Sequence, residues 1–540
     1  MSELRNISLG GLNEDVCRHV LSELSDDDLW SLLQTCRWLR EAAAPVLFRE
    51  CTLKVYGPWN VIKPERFLPA SFRPYIQTLF LRDACPDQRR DDELDSPPLY
   101  HTDNHNLCGA MPGAPLGDRL RELPRLRSLR LTKHQNRYLT HGLPWNTLLA
   151  ILSVPHLREF NIEDMQFCPV MHSDEQLIVD SLAPITTFHH RMWYPQEPFT
   201  FSCQTAALSA VLSKLCETLE TLNLASEPAP VPIVSRFHWP RLRKLAYCGP
   251  LWSTLSTPFI SLHSGMQDLR SLSLELDVTS GTNTQVLWPP GYDGSFPWPE
   301  LEHLLISFPD PRDEVYDHLP SSLRALSLRC WPHIHVQQEP SDIDAVDDRP
   351  DHNALLGSTA IRSILRRCSL LDLDHLEIEY RADDEDDALL RQVAATFPRL
   401  TSLKIHRYRS AFEIQEQRDV PMVSRHLPPP GDNSSLLTYV LQEHIAQMLA
   451  PLTRLRLLKI YLELACTPRL KLGMMFRSPA EIWMYDTSDV RKFEVATQAM
   501  AGVFARHLSP SVREVILYSV STSSPYWRVF DVIAGYACVR

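Results

Sequence analysis

A short apolar pattern recurs through most of this chain and constrains its fold more than any other feature. Each copy carries apolar residues at its first, fourth and sixth positions, as in Leu126-Arg-Ser-Leu-Arg-Leu. Side chains alternate between the two faces of a strand, so each copy predicts a strand with one buried face. Clear copies begin at Leu126, Leu157, Leu219, Leu269, Leu301, Leu323, Leu400 and Leu455, and weaker ones at Ile76, Ile185, Leu242, Leu373 and Val512.

Many copies are preceded by a proline, two residues before the first apolar anchor. It stands at Pro74, Pro124, Pro155, Pro240, Pro299, Pro398 and Pro510. Proline cannot continue a helix and lacks the N–H that a central strand needs, so it marks a helix that ends before a strand begins. Helices are predicted before several of these stops, at 146–153, 205–216, 388–396 and 436–449. A strand, a return helix and a second strand make a right-handed parallel unit.

The spacing of the copies resembles that of leucine-rich repeats. Neighbouring copies between residues 126 and 323 start 22 to 34 residues apart, and the family period is about 20 to 29 residues. The asparagine that regular members carry three residues after the last anchor is replaced by His134, Glu227 and Trp331. The resemblance implies an irregular solenoid of parallel strands with return helices. One α/β domain of ordinary strand–helix units fits the same pattern as an alternative.

Three short helices are predicted ahead of the repeats. The first covers about 14–24 with Asn13 as its N-cap, and the second follows Ser25. The third covers 37–44 and is expected to end before Pro45. A unit of roughly 40 residues buries little surface, and this one carries more apolar groups than its helices can cover. Surplus apolar surface on a small helical unit predicts docking to a partner.

Four blocks in this segment resemble the F-box: Leu12-Asn-Glu-Asp-Val, Val20-Leu-Ser-Glu-Leu, Asp28-Leu-Trp-Ser-Leu and Cys36-Arg-Trp-Leu-Arg. Asn13 stands where the family usually has proline, and Leu39 where it usually has tryptophan. The resemblance implies binding to a Skp-type adaptor and, through it, to a cullin–RING ubiquitin ligase. A plain helical cap on the repeats is the alternative. The residues assigned to the adaptor are Leu12, Val16, Val20, Leu24, Leu29, Trp30, Leu32, Cys36 and Leu39.

The predicted fold class is therefore α/β, with two parts. Residues 1–56 form an F-box-like three-helix module, and residues 57–540 form the irregular leucine-rich-repeat array. Polar loops are expected to leave the array at about 83–118, 277–298, 336–354 and 408–435. The tail after Val520 is aromatic and is a candidate cover for the last repeat.

No motif for catalysis or cofactor binding is recognisable, so no enzyme activity, catalytic residue or cofactor is expected. His101, His105 and Cys108 have a metal-like spacing but no evident fourth ligand, and no metal site is predicted there. His189-His190 and His333 are interpreted as surface or edge residues of the repeats.

Charge and cysteine content restrict the partners and the compartment. The net charge of −12 argues against nucleic-acid binding. No apolar run reaches the roughly 18 residues of a membrane span, so no membrane partner is expected. The 13 cysteines are scattered and are expected to be reduced thiols, which predicts a cytoplasmic or nuclear protein.

The outward residues of the predicted strands are polar and of mixed charge, which suits a protein partner. The candidate substrate-binding residues are Arg130, Glu159, Asn161, Glu275, Arg329, Glu377 and Lys404. The sequence thus predicts the substrate-recognition subunit of a cullin–RING ligase. A repeat scaffold without a role in ubiquitination is the alternative.

Overall fold

The computed structural model describes the chain in two compact units, Met1–Gly249 and Pro250–Arg540. It covers all residues except 1–12, 57–66, 86–103, 105, 134–140, 172–175, 193–197, 253–256, 278–285, 334–354, 369–371, 411–432, 465–466, 469, 475–480 and 522–524.

The first unit begins with three helices and continues with alternating strands and helices. Its helices are α1 (Glu14–Ser22), α2 (Asp26–Leu33), α3 (Arg37–Leu47), α4 (Gly113–Arg121), α5 (Trp145–Leu152), α6 (Phe201–Leu215) and α7 (Val231–Val234). Its strands are β1 (Glu50–Val55), β2 (Thr78–Asp83), β3 (Ser128–Lys133), β4 (Gly142–Leu143), β5 (Glu159–Glu163), β6 (Gln166–Phe167), β7 (Thr187–Arg191), β8 (Thr221–Ala225) and β9 (Lys244–Pro250). Strands β1, β2, β3, β5, β7, β8 and β9 pair in chain order, and every pairing is parallel. Strands β4 and β6 form a separate short parallel pair.

The second unit repeats this arrangement and ends in an antiparallel edge. Its helices are α8 (Phe259–Leu262), α9 (Val315–His318), α10 (Ser358–Arg367), α11 (Asp386–Thr396), α12 (Asn433–Leu449) and α13 (Thr487–His507). Its strands are β10 (Ser271–Asp277), β11 (His303–Ser307), β12 (Ala325–Arg329), β13 (His375–Arg381), β14 (Ser402–Tyr408), β15 (Leu457–Leu462), β16 (Leu470–Met474), β17 (Glu481–Tyr485), β18 (Glu514–Val520), β19 (Pro525–Ile533) and β20 (Tyr536–Val539). Strands β10 to β15 and then β18 pair in parallel. Strands β16 and β17 form an antiparallel hairpin.

The strands lie where the apolar pattern predicts them. Each predicted copy yields a strand that begins two residues after its first anchor, as β3 follows Leu126, β10 follows Leu269 and β14 follows Leu400. The helices predicted at 146–153, 205–216, 388–396 and 436–449 are present as α5, α6, α11 and α12, with ends shifted by a few residues. The predicted α/β class with mostly parallel strands is confirmed.

The anchor side chains form buried rows across the paired strands. In the first unit Leu129 is in register with Phe160, and Phe160 with Phe188, and all three are fully buried. In the second unit Leu376 is in register with Leu403. Burying one such side chain contributes about 1.5–3 kcal/mol. A slip of one residue would turn each row to the polar face, so the rows also hold the strands in register.

A histidine occupies one place in such a row. His190 lies between Ile162 of β5 and Leu224 of β8 and is fully buried. Burial lowers the pKa of His190 to about 4. The interpretation of His190 as a surface or edge residue is therefore wrong, because it takes an inward position on its strand; its neighbour His189 is half-buried.

Lowering the pH from 7 to 5 is expected to reduce the free energy of unfolding by about 2 kcal/mol through the protonation of His190 alone. The folded-state pKa lies below the ordinary value of 6.5, so protonation favours the unfolded chain. The stabilisation is complete above pH 6.5 and is lost as the pH falls toward 4. Urea denaturation at both pH values measures it. In the variant His190→Leu this decrease in the free energy of unfolding should be absent. In the variant His156→Leu, which changes an exposed position, the decrease should remain. Equal losses in the two variants would contradict the prediction.

The N-terminal helices begin at the predicted caps. Asn13 Oδ1 accepts a hydrogen bond from the Asp15 backbone N–H at 2.9 Å, and Ser25 Oγ accepts one from the Asp28 backbone N–H at 3.2 Å. Each bond satisfies a backbone donor that has no partner inside the helix. The three helices share a small core of Cys17, Leu21, Leu29, Leu33, Ala43 and Ala44.

Helix α3 passes the point at which the sequence predicts its end. The predicted stop is before Pro45, but the helix continues to Leu47 with Pro45 inside it. Pro45 has no N–H of its own to donate, but the residues after it can still make helical hydrogen bonds. The Phe48 N–H, for example, donates to the Ala44 carbonyl at 3.0 Å, so the helix continues past the proline.

The sheet begins earlier than residue 57. Strand β1 lies inside the range 1–56 that was predicted to be helical, and it pairs in parallel with β2. The same spacing is present one step earlier, in Phe48-Arg-Glu-Cys-Thr-Leu, but a cysteine is its middle anchor and it was not recognised as a copy.

The predicted polar loops have different outcomes. The range 83–118 includes the end of β2 and the start of α4, and 408–435 includes the end of β14 and the start of α12. The range 336–354 lies outside the described residues. The described end of 277–298 is partly packed, because Trp288 and Trp298 are fully buried while Asp293 and Ser295 between them are exposed. Asp313 holds this segment by accepting from the backbone N–H groups of Leu287 at 2.7 Å and Trp288 at 3.0 Å.

The aromatic tail completes the sheet of the second unit. It forms β19 and β20, and β19 pairs antiparallel with β18. Phe530 of β19 lies opposite Val515 and is fully buried. The tail therefore covers the edge that β18 would otherwise present.

Candidate functional site

Polar side chains gather on the outward face of strands in the second unit. Leu376 and Ile378 of β13 belong to the buried rows, so the intervening Glu377 points to the other face. The register places Glu377 between Ser327 of β12 and Lys404 of β14. The strands thus bring residues that are far apart in the chain into one polar cluster.

Glu379 is the most fully bonded member of the cluster. Its Oε2 accepts from Nδ1 of His333 at 2.6 Å and from the Cys330 backbone N–H at 2.8 Å. Its Oε1 accepts from the Tyr408 hydroxyl at 2.8 Å. Burial is the largest single influence and would raise the pKa of this carboxyl, but the contacts with His333, His406 and the Cys330 backbone N–H together hold the pKa below its ordinary value. Glu379 is therefore a carboxylate at neutral pH.

The tautomer of His333 follows from its two partners. Arg329 Nη1 lies 3.1 Å from Nε2 of His333, and an arginine can only donate. Nε2 therefore accepts, and Nδ1 carries the proton that is donated to Glu379.

Glu377 is also held as a carboxylate. Its Oε2 accepts from the Ser327 hydroxyl at 2.9 Å and lies 4.0 Å from the Lys404 Nζ, while its Oε1 is 3.7 Å from Nε2 of His406. Burial would raise its pKa, but the contact with His406 and the charges of Arg329 and Lys404 hold the pKa well below the ordinary range. Since burial lowers the pKa of His406, the lasting ionic partners at neutral pH are Arg329 and Lys404.

Aromatic contacts fix the rest of the cluster. The rings of His333 and His406 stack with centroids 4.0 Å apart and planes 15° apart. Trp527 of β19 meets His406 edge to face at 5.7 Å. The Lys459 Nζ lies 4.0 Å above the Trp527 ring, a cation–π contact.

Solvent reaches this cluster at its basic side. Lys404 is 42% exposed, whereas the Glu377 side chain is 10% exposed and the Arg329 side chain 11%. The acidic groups are therefore engaged internally, and Lys404 is the most exposed of these three side chains.

The cluster also has a geometry that a metal ion could use, but its charges oppose one. One ligand atom each of His333, Glu377 and His406 lies within 4.8 Å of the others. The lone pair of His333 that faces them already accepts from Arg329 at 3.1 Å. A cation would have to displace that guanidinium, with Lys404 4.0 Å from the carboxylate as well. The arrangement favours a charge network over a metal centre.

The predicted substrate-binding residues divide between the two units. Glu275, Arg329, Glu377 and Lys404 belong to the second, where Arg329 Nη2 lies 3.0 Å from Glu275 Oε1. Arg130, Glu159 and Asn161 lie on β3 and β5 of the first. There, Arg130 lies over the Phe80 ring at 5.3 Å, Asn161 donates to Glu163 at 3.1 Å, and Glu159 is exposed.

Sequence reasoning missed several members of the cluster as site residues. Glu379 and His406 stand at outward positions, but nothing local distinguishes them from other polar strand residues. His333 follows β12 in a segment without periodicity, and Trp527 belongs to the tail. Their contacts join side chains from segments that are far apart in the chain, so no pattern within a few residues shows them.

A second surface lies on the N-terminal helices and is apolar. Val16 and Val20 are one turn apart on α1 and are 48% and 43% exposed, and Trp30 on α2 is 49% exposed. Trp30 contacts Phe48 edge to face at 5.7 Å, which leaves about half of its surface open. Leu24 is also exposed.

The residues predicted to bind an adaptor occupy different environments. Val16, Val20, Leu24, Trp30 and Cys36 are exposed, and Leu32 and Leu39 are half-buried. Leu29 is buried in the core of the three helices, so its assignment to a docking surface is corrected. Leu12 lies outside the described residues, as do His101 and His105. Among the residues that the structure describes, no helix is both long and apolar enough to cross a membrane.

No protein-family model matches this chain, and no curated protein matches it significantly.

Proposed function

We propose that this protein is the substrate-recognition subunit of a cullin–RING ubiquitin ligase. Its N-terminal helices act as an F-box that binds a Skp-type adaptor, and its strands, arranged as an irregular leucine-rich-repeat solenoid, bind a protein substrate. The exposed apolar residues on α1 and α2, beside a core of only six buried residues, are the observation that carries the proposal.

The physical argument starts from the cost of that surface. Val16 and Val20 on α1 and Trp30 on α2 each expose a large apolar area on a small helical unit. Removing such area from water contributes about 25 cal/mol per Å². An adaptor that covers this apolar area removes it from water, so the complex is favoured over the separate proteins. This supports docking over a plain helical cap.

Catalysis in this role is proximity. The ligase's charged enzyme transfers ubiquitin, and this chain supplies no catalytic residue of its own. Holding the substrate near that enzyme raises the effective concentration of the two reactants. The polar cluster around Glu377 and Glu379 is the proposed contact for a substrate segment, and the role places the protein in the cytoplasm or nucleus.

Two lysines on α1 are expected to abolish adaptor capture. The variant V16K/V20K replaces exposed valines by residues that also favour helices, so α1 should still form. Burying two ammonium groups at the interface is expected to lower affinity by at least about 30-fold, roughly 2 kcal/mol. Purified full-length protein titrated with the purified adaptor measures the effect.

The matched control is Val495→Lys on α13, because Val495 is 71% exposed and lies outside the N-terminal helices. It should bind as the unmodified chain does. Equal affinity of V16K/V20K and V495K would rule out this docking surface. Leu29 is unsuitable for this test because its substitution disrupts the core of the helices.

Recovery of cullin separates the ligase from the scaffold alternative. Adaptor and cullin recovered together, with a bound protein whose lifetime lengthens when this chain is deleted, support the ligase. Adaptor recovered without cullin supports a repeat scaffold.

A further inference from the structure

Four side chains of metal-binding type meet inside the first unit. They are Asp83, Cys85, Cys108 and His141, and all four are buried. One ligand atom from each, two thiols, one carboxylate oxygen and one imidazole nitrogen, lies within 4.8 Å of all the others. Nε2 of His141 is in direct contact with Oδ2 of Asp83.

Three separate chain segments supply these residues. Asp83 ends β2, and the Cys85 backbone N–H donates to Asp83 Oδ1 at 2.9 Å, which turns the chain back on itself. Cys108 and His141 are joined through the backbone beside them. The Cys108 N–H donates to the Gly142 carbonyl at 2.8 Å, and the Gly142 N–H donates to the Asn106 carbonyl at 2.8 Å.

Gly142 shows how closely this region is packed. A Cβ at this position would lie 2.5 Å from the Gln166 carbonyl oxygen, which real Cβ atoms do not approach. The backbone that carries His141 is therefore fixed on both sides, by Cys108 and by the segment at Gln166. The imidazole is presented by a rigid frame, which is what a preformed ligand set requires.

We propose that Asp83, Cys85, Cys108 and His141 bind one zinc ion. Tetrahedral zinc lies about 2.3 Å from sulfur and about 2.0–2.2 Å from nitrogen or oxygen, which spaces the ligand atoms about 3.3–3.8 Å apart. The four atoms here lie within 4.8 Å of one another, so small side-chain shifts bring them to those separations. Two thiolates with one imidazole select zinc over magnesium or calcium, which prefer oxygen ligands.

The site is structural because the protein supplies all four ligands and the residues are buried, so no position is left for a substrate. The ion joins the end of β2 to the segments that carry Cys108 and His141. This inference stands apart from the proposed function, since none of the four residues belongs to the helices that carry the adaptor surface.

The sequence singled out Cys108 as a possible metal ligand, but beside residues other than the three that surround it in the structure. Its neighbours His101 and His105 suggested a site by spacing alone, and the absence of a fourth ligand argued against it. The structure assigns Cys108 three other partners, of which Asp83 and His141 are 58 residues apart in the chain.

Metal analysis of the full-length protein tests the proposal. Protein purified without an affinity metal, and dialysed against metal-free buffer, is expected to carry about one zinc ion per chain. Cys85→Ser and His141→Ala should each reduce zinc at least about ten-fold, because a lost ligand opens the site. Cys216→Ser, at another buried thiol of the same unit, should keep the full amount. Zinc well below one per chain in the unmodified protein, or equal in all variants, would overturn the proposal.

A measurement on the unmodified sequence covers the case in which the variants do not fold. Protein produced in cobalt-supplemented medium should show the intense visible bands of tetrahedral Co²⁺ and a sulfur-to-cobalt charge-transfer band. A weak octahedral spectrum without that band would overturn the site. An intact mass lower than the sequence mass by two hydrogens, together with a digest in which the peptides of Cys85 and Cys108 are joined, would show a disulfide between these cysteines. That result would also overturn the proposal.

Discussion

Glu379→Ala is expected to lower the free energy of unfolding of the second unit by about 3–5 kcal/mol. The substitution removes the acceptor shared by His333, the Cys330 backbone N–H and the Tyr408 hydroxyl, which lie 2.6–2.8 Å from the carboxylate. Each of these donors is already out of bulk water, so losing the acceptor costs its desolvation without compensation. Urea denaturation followed by far-ultraviolet circular dichroism measures the change.

Glu302→Ala is the control for this prediction. Glu302 is 39% exposed in its side chain and pairs with Arg270 at 3.5 Å, so its loss should cost less than about 1 kcal/mol. If the two alanine variants lose the same amount, the Glu379 network does not stabilise the fold as argued. In that case the cluster would be a set of exposed ion pairs rather than a rigid surface for a partner.

Phe188→Ala is expected to cost a similar amount, about 3–5 kcal/mol, in the first unit. The ring is fully buried in an anchor row and packs against Phe160 at 5.7 Å and Phe167 at 5.8 Å between centroids. Its removal leaves a cavity that three strands and their register hold open. The same denaturation experiment measures it.

Phe199→Ala is the matched control, because Phe199 belongs to the same unit and is 62% exposed. Its loss should fall within about 0.5 kcal/mol of zero. A loss at Phe188 no larger than that at Phe199 would contradict the buried-row arrangement.

The strands were predictable because their signal is local. The six-residue pattern at Leu126 or Leu400 contains the whole requirement for a strand with one buried face, and the strands begin two residues later. The caps at Asn13 and Ser25 are local in the same way, since a side chain bonds to a backbone group two or three residues ahead. Where a local rule was taken as absolute, as at Pro45, the boundary was wrong by one turn.

The polar cluster was only partly predictable. Alternation along β13 placed Glu377 on the outward face, and alternation along β14 did the same for Lys404. It could not show that His333, which lies 46 residues from Glu379, donates to it. Alternation from Phe188 also puts His190 at the inward sixth position of the copy that begins at Ile185, but its polar ring led to its assignment to the surface.

The sequence by itself determined the repeated strand–helix order, the parallel class of the sheet and the capped helices at the start, since each depends on spacing within a few residues. Only the tertiary structure decided which polar side chains meet, that Leu29 is core while Val16 and Val20 face outward, and that Cys108 lies beside Asp83, Cys85 and His141. Those outcomes depend on strand register and on the burial of whole elements, which are set by packing between segments that are distant in the chain.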